Sequence, residues 1–218
     1  MDSRITGGMV ASIERIDISG LDPHLAETQI IVACDVRNPL TGPDGASHVY
    51  GPQKGATPQQ IEQLDAALGH LAKLFREQLG LDVETMPGAG AAGGLGAGLV
   101  ALLSGTLRGG VQIVLDAVNF ERRVAGCDLC LTGEGRLDGS SLSGKACLGV
   151  ARVAQRQGVR TIALVGSVGP GADRTLDAGL WAYHAIGEGL SVAESIRRAE
   201  QLLERSTARV VYDLEHGV

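Results

Sequence analysis

Residues 128–166 read DLCLTGEGRLDGSSLSGKACLGVARVAQRQGVRTIALVG, and this stretch decides the fold. It opens on a short apolar run, DLCLTG (128–133), which reads as a strand. A Gly/Ser-rich loop follows. KACLGVARVAQRQG (145–158) then has helical spacing, with Val150, Val153 and Ala154 on one face and Gly158 as its stop. RTIALVG (160–166) is a second strand, GADRTLDAG (171–179) a helix and LWAYHAI (180–186) a third strand. One long helix is predicted from about Ser191 to Val211. Strands alternating with helices predict a parallel sheet with right-handed crossovers, of Rossmann or flavodoxin-like type. Doubly wound sheets usually carry roughly five strands or more, so a sheet of three is expected to be partial.

Upstream the pattern is that of a mixed α/β domain. ETQIIVACDV (27–36) reads as a strand that runs into a polar loop, RNPLTGPDGA. Thr57 is an N-cap, Pro58 sits at the first helical position and Gln60 completes a capping box. Ile61, Leu64, Leu68, Leu71, Leu74 and Phe75 keep helical spacing until Gly80. A Gly/Ala-rich loop, 87–98, precedes a helix through GLVALLSG. Two domains are expected, residues 1–120 and 121–218, with the boundary within 119–127.

Composition excludes several classes. With 218 residues and a net charge of −6, the chain offers no basic field for nucleic acid or an anionic membrane. Aromatics make up only 3%, which leaves little surface for stacking bases. The first twenty residues lack the apolar core of a signal peptide, and no segment reads as a membrane span, so a cytoplasmic protein is expected. Cys34, Cys127, Cys130 and Cys147 read as reduced thiols: Cys127 and Cys130, three apart at a strand, point to opposite faces, and no second pair completes a metal set.

Two glycine motifs outline nucleotide sites without completing them. Gly88, Gly90 and Gly93 form a G-x-G-x-x-G, but a nicotinamide fingerprint needs a strand before it and an acidic residue about twenty positions on. Gly93, Gly94, Gly96 and Gly98 lie in or near a helix, where each glycine costs about 0.8–1 kcal/mol. Either tight packing or an anion at the helix N-terminus is expected to offset that cost. From Gly139 the spacing is G-x-x-x-x-G-K, yet Ala146 stands where a P-loop needs a hydroxyl. Ser143, Gly144 and Lys145 still place anion-binding groups at a helix start. Just before them, Glu134, Arg136 and Asp138 crowd a loop at the carboxyl end of a strand, where open α/β sheets bind ligands. Carboxylates for Mg²⁺ or a hydroxyl proton, with a guanidinium for phosphate, suit phosphoryl transfer. Asp35, Asn38 and Lys54 supply a second set of polar loop positions.

DISGLDPHL (17–25), CDVRNPLTGPDGASHVYGPQKGA (34–56), PGAGAAGGLGAGL (87–99) and LTGEGRLDGSSLSGKACLGVA (131–151) together resemble the bacterial glycerate kinase family. The resemblance implies ATP-dependent phosphorylation of glycerate with Mg²⁺. It carries functional roles to Asp35, Asn38, Lys54, the Gly88–Gly94 loop, Glu134, Arg136, Asp138 and Lys145. The family has glutamine where Ser140 stands and proline where Cys147 stands. Its members also have a substantial N-terminal portion that completes the α/β sheet. The resemblance therefore implies an uncovered sheet that self-associates or needs a partner, and a chain that alone is inactive or weakly active. A ligand-binding remnant without catalysis is the alternative.

Overall fold

The computed structural model describes residues 6–143 and 145–217. Gly144, one of the expected anion-binding positions, lies outside them, and of Ser143 only the backbone is described. The chain divides into two compact units, Met1–Gly110 and Val111–Val218.

The first unit holds a short parallel pair of strands, β1 (Ile31–Ala33) and, later in the chain, β2 (Thr106–Arg108), with Ile31 opposite Thr106. The expected ten-residue strand shrinks to three because its partner is only three residues long. Between them lie α1 (Ala46–Tyr50), α2 (Pro58–Leu79) and α3 (Leu95–Leu103). The start of α2 is fixed by the capping box: the Thr57 hydroxyl accepts from the Gln60 amide, and the Gln60 side chain accepts from the Thr57 amide. Gly80, left-handed at φ 71°, ends the helix. The apolar face of α2 packs Ala72 and Phe75 against Leu40, Val83, Ala89 and Ala97.

The division falls at the start of α4 (Gly110–Ala117), ahead of residues 119–127, and α5 (Phe120–Val124) follows in the second unit. Then come β3 (Leu129–Leu137), α6 (Ala146–Arg156), β4 (Arg160–Val168), α7 (Arg174–Asp177), β5 (Ala182–Ala185), α8 (Val192–Arg197) and α9 (Ala199–His216). The strands form a parallel sheet in the order β3-β4-β5, with Leu129 opposite Arg160 and Ile162 opposite Ala182. The predicted single terminal helix is broken at Arg198, whose φ of −108° and ψ of 13° leave the helical region.

Two faces of β4 are buried by period-two alternation. Ala163 and Val165 pack on Cys147, Leu148 and Ala151 of α6; Ile162 and Leu164 pack on Val210 of α9. Leu148 is wholly buried in the first cluster. Leu148→Ala should therefore cost about 2–5 kcal/mol of stability, read from the chemical-denaturation midpoint. A cost under about 1 kcal/mol would show that this cluster is not the unit's core.

Among the described residues β3 pairs only with β4, so its outer edge carries no strand. Beside it a groove of about 790 Å³ runs under α8 and α9, lined by Leu131, Leu164, Ile186, Leu190, Ile196 and Leu203. Val192 and Ile196 at its rim are 74% and 71% exposed, an unusual price for two aliphatic side chains on one short helix. No helix among the described residues is long and apolar enough to cross a membrane.

Candidate active site

GEGRL was expected as a loop, but it is the last part of β3: Glu134 lies opposite Val165 and Arg136 opposite Ser167. The glycines serve the strand rather than a hinge. A Cβ on Gly133 would come within 2.6 Å of the Leu164 carbonyl oxygen, and one on Gly166 within 2.6 Å of the Gly135 carbonyl oxygen. Only glycine lets these two backbones approach so closely. The result holds Glu134 and Arg136 on a rigid element and leaves Asp138 at the first position beyond it.

Asp138 organises the turn that follows. Its carboxylate accepts the Ser140 amide at 2.9 Å, the Ser140 hydroxyl at 2.5 Å and Arg136 Nε at 3.1 Å. Lys145 Nζ donates to the Ser140 hydroxyl at 2.7 Å, so one chain of hydrogen bonds joins Arg136, Asp138, Ser140 and Lys145. The Ser140 hydroxyl and amide hold the Asp138 carboxyl below the usual carboxylate range, with the charges of Lys145 and Arg136 adding to the effect. The Asp138 side chain is only 22% exposed, whereas that of Arg136 is 61% exposed. The cluster thus presents cations outward over a shielded carboxylate.

Glu134 belongs to a neighbouring network. Its Oε1 accepts the hydroxyl of the wholly buried Ser141 at 2.5 Å, and that hydroxyl also receives the Asp138 amide at 3.4 Å. Burial, and then the charge of Glu134, push the Cys147 thiol up to about 11, so this cysteine is a neutral core residue at neutral pH. Cys127 is exposed and Cys130 buried. Gly169 completes the floor. Its amide donates to the Leu137 carbonyl at 2.8 Å, and a Cβ there would meet Arg136 Nη2 at 2.8 Å. Ser140, Ser141 and Gly169 were not among the expected site residues. The D-x-S pattern at 138–140 was a local signal for the first, since aspartate side chains accept the amide two residues on.

The candidates in the first unit are more heavily engaged in structure. Asp35 accepts the Gly110 amide at 2.7 Å. Asn38 is a hub: its Nδ2 donates to the Asp44 carbonyl at 2.8 Å, and its Oδ1 accepts the Tyr50 hydroxyl at 2.7 Å. Its carbonyl accepts the amides of both Gly88 and Gly90 at 3.1 Å. The Gly93 amide donates to the Gly90 carbonyl and that of Gly94 to the Ala91 carbonyl, each at 3.2 Å. All four loop amides are therefore bonded internally; close packing accounts for Gly88, Gly90 and Gly94, and a left-handed backbone at φ 74° for Gly93. Ala92 is held at φ 52° between them. Lys54 is exposed on the turn after α1.

Comparison with known proteins identifies the family. Residues 2–215 match the profile of the glycerate kinase family. The chain belongs to the glycerate kinase family. The glycerate kinase of Halalkalibacterium halodurans is 44% identical over 205 residues, covering 94% of this chain and 54% of its own length. The glycerate 2-kinase of Escherichia coli K12 is 46% identical over 190 residues, covering 87% of this chain and 48% of its own. A crystal structure assigned to glycerate kinase 2 of Salmonella typhimurium LT2 superimposes with a TM-score of 0.78 at 40% identity, over 97% of this chain and 55% of that one. The chain thus spans about half the length of the glycerate kinases it matches.

Proposed function

We propose that this chain forms about half of an ATP-dependent glycerate kinase and carries its phosphate-handling cluster. The observation that supports this is the hydrogen-bonded chain Arg136–Asp138–Ser140–Lys145 at the carboxyl end of β3. Arg136 and Lys145 bind the nucleotide phosphates or the carboxylate of glycerate. In the transfer, a glycerate hydroxyl oxygen bonds to the γ-phosphorus as the bond to ADP breaks, and the hydroxyl proton passes to a carboxylate. Glu134 is the acceptor in this reading, because Asp138 is held too acidic to be an effective base.

The same acidity suits Asp138 to a hard cation. Mg²⁺ usually takes one or two protein carboxylates and completes its shell with phosphate and water; Asp138 would hold it while Glu134 stays free to take the proton. Bound there, the ion would neutralise charge on the phosphates. The protein acts in the cytoplasm on a small molecule rather than on nucleic acid or a membrane.

The bare edge of β3 and the apolar groove beside it support a further part of the proposal. A strand and covering surface from outside residues 1–218 complete the sheet. The test is complementation. Residues 1–218 alone, given ATP, Mg²⁺ and glycerate, should release no glycerate-dependent ADP. Mixing with the half of the E. coli glycerate 2-kinase outside the matched region should restore it. Turnover by a pure monomer would refute the need for completion. A folded pair that binds neither ATP nor glycerate would refute the kinase reading, and binding without turnover would leave the remnant.

A further inference from the structure

We propose that His48 is a proton-dependent clasp: as the imidazolium it fixes the 38–45 loop onto α2, and it releases that loop when the ring loses its proton. The argument is geometric and independent of the kinase reading. Each ring nitrogen faces a different carboxylate on α2, with Nε2 3.2 Å from Glu62 Oε1 and Nδ1 3.4 Å from Asp65 Oδ1. Nδ1 is buried and has no hydrogen bond of good geometry. A neutral imidazole carries one N–H, so one of its nitrogens would aim a lone pair at a carboxylate. Two acceptors on opposite sides of the ring are satisfied together only by the doubly protonated form.

Asp65 is what couples the ring to the loop. Both its oxygens also accept the Gly42 amide, at 3.1 and 3.2 Å, so a single carboxylate holds α1 through His48 and the loop through Gly42. Asn38 ties the two ends of the loop together through the Asp44 carbonyl, and ties the loop to α1 by accepting the Tyr50 hydroxyl. Asp65 is the shielded partner, its side chain 19% exposed against 76% for Glu62.

The surroundings of the ring add no opposing charge that would mask the effect. α1 packs on α2, on the 52–54 turn and on the 91–93 turn. α2 contributes Glu62 and Asp65, the first turn carries the exposed Lys54, and Ala91–Gly93 has nothing to titrate. Besides His48, α1 contains only Tyr50 as a titratable side chain. The hydrogen bond that the ring donates to Glu62, and then the charges of Asp65 and Glu62, raise the pKa of His48, and burial opposes them. For a raised histidine the clasp is complete below the ordinary value of about 6.5 and is lost as pH climbs through the raised one.

The experiment is an NMR titration of the 1–218 chain between about pH 5 and pH 9, following the His48 ring and the exchange protection of the Gly42 amide. His48 should titrate above its ordinary value, and Gly42 protection should fall by about fivefold or more along the same curve. His48→Gln should abolish that pH dependence. Asp65→Asn should lower the His48 pKa and uncouple it from the loop, which keeps the test valid if the first variant folds poorly. Gly42 protection that ignores the His48 titration, or keeps its pH dependence in His48→Gln, overturns the clasp.

Discussion

Gly90→Ala and Gly96→Ala should each destabilise the N-terminal unit by about 3 kcal/mol. A Cβ on Gly90 would sit 2.2 Å from the Pro39 carbonyl oxygen, and one on Gly96 would sit 2.3 Å from the Gly88 carbonyl oxygen. Both obstacles are backbone atoms, and both lie in the segment where Gly88 and Gly90 donate to Asn38, so neither can step aside without breaking hydrogen bonds. Gly98 is the control. It lies inside α3 with nothing near its would-be Cβ, so Gly98→Ala should instead stabilise by about 0.5–1 kcal/mol through helix propensity alone. Urea denaturation of the three variants checks the contrast. An unchanged midpoint for Gly90→Ala would show that the loop is not seated on Pro39 and would reopen it as a free anion cradle.

That contrast also shows where the sequence was legible and where it was not. The bounds of α2 could be read because Thr57, Pro58, Gln60 and Gly80 act within a few residues of themselves. The parallel sheet followed from alternation with helices, which limits the connections available. β3 was read four residues short because Gly133 looks the same whether it hinges a loop or admits a neighbouring backbone, and only the β4 contact distinguishes the two. β2 went unread for a similar reason. Three residues have no period, and their strand character comes from β1 alone. At Arg198 there is no glycine or proline to announce the break between α8 and α9. The charged residues of the candidate site stood out by their density at a strand end, whereas Ser141 did not, since a buried serine gains its role from the carboxylate the fold brings to it.

Arg136→Ala, placed in the complemented enzyme, should lower glycerate-dependent turnover a hundredfold or more while leaving the folded state intact. The expectation rests on how the side chain is held. Its Nε is committed to Asp138, which presets the guanidinium plane, and the Nη groups are the donors left for a phosphate or carboxylate. Gly169 beneath it leaves the space for this arrangement. Being 61% exposed, Arg136 contributes little to stability, so lost activity would not reflect unfolding. Arg136→Lys should recover only a fraction, because an ammonium keeps the charge but loses the fork. Asp138→Asn should act through a different quantity. In the parent enzyme Asp138 stays ionised until pH falls through its depressed pKa, so the part of the rate that needs its charge persists below the ordinary carboxylate value. The asparagine variant should lose that part at every pH. Both arms are read from turnover against pH on the complemented pair. Arg136→Ala with parental turnover would remove the guanidinium from the chemistry, and with it the cluster as the place where phosphate is handled.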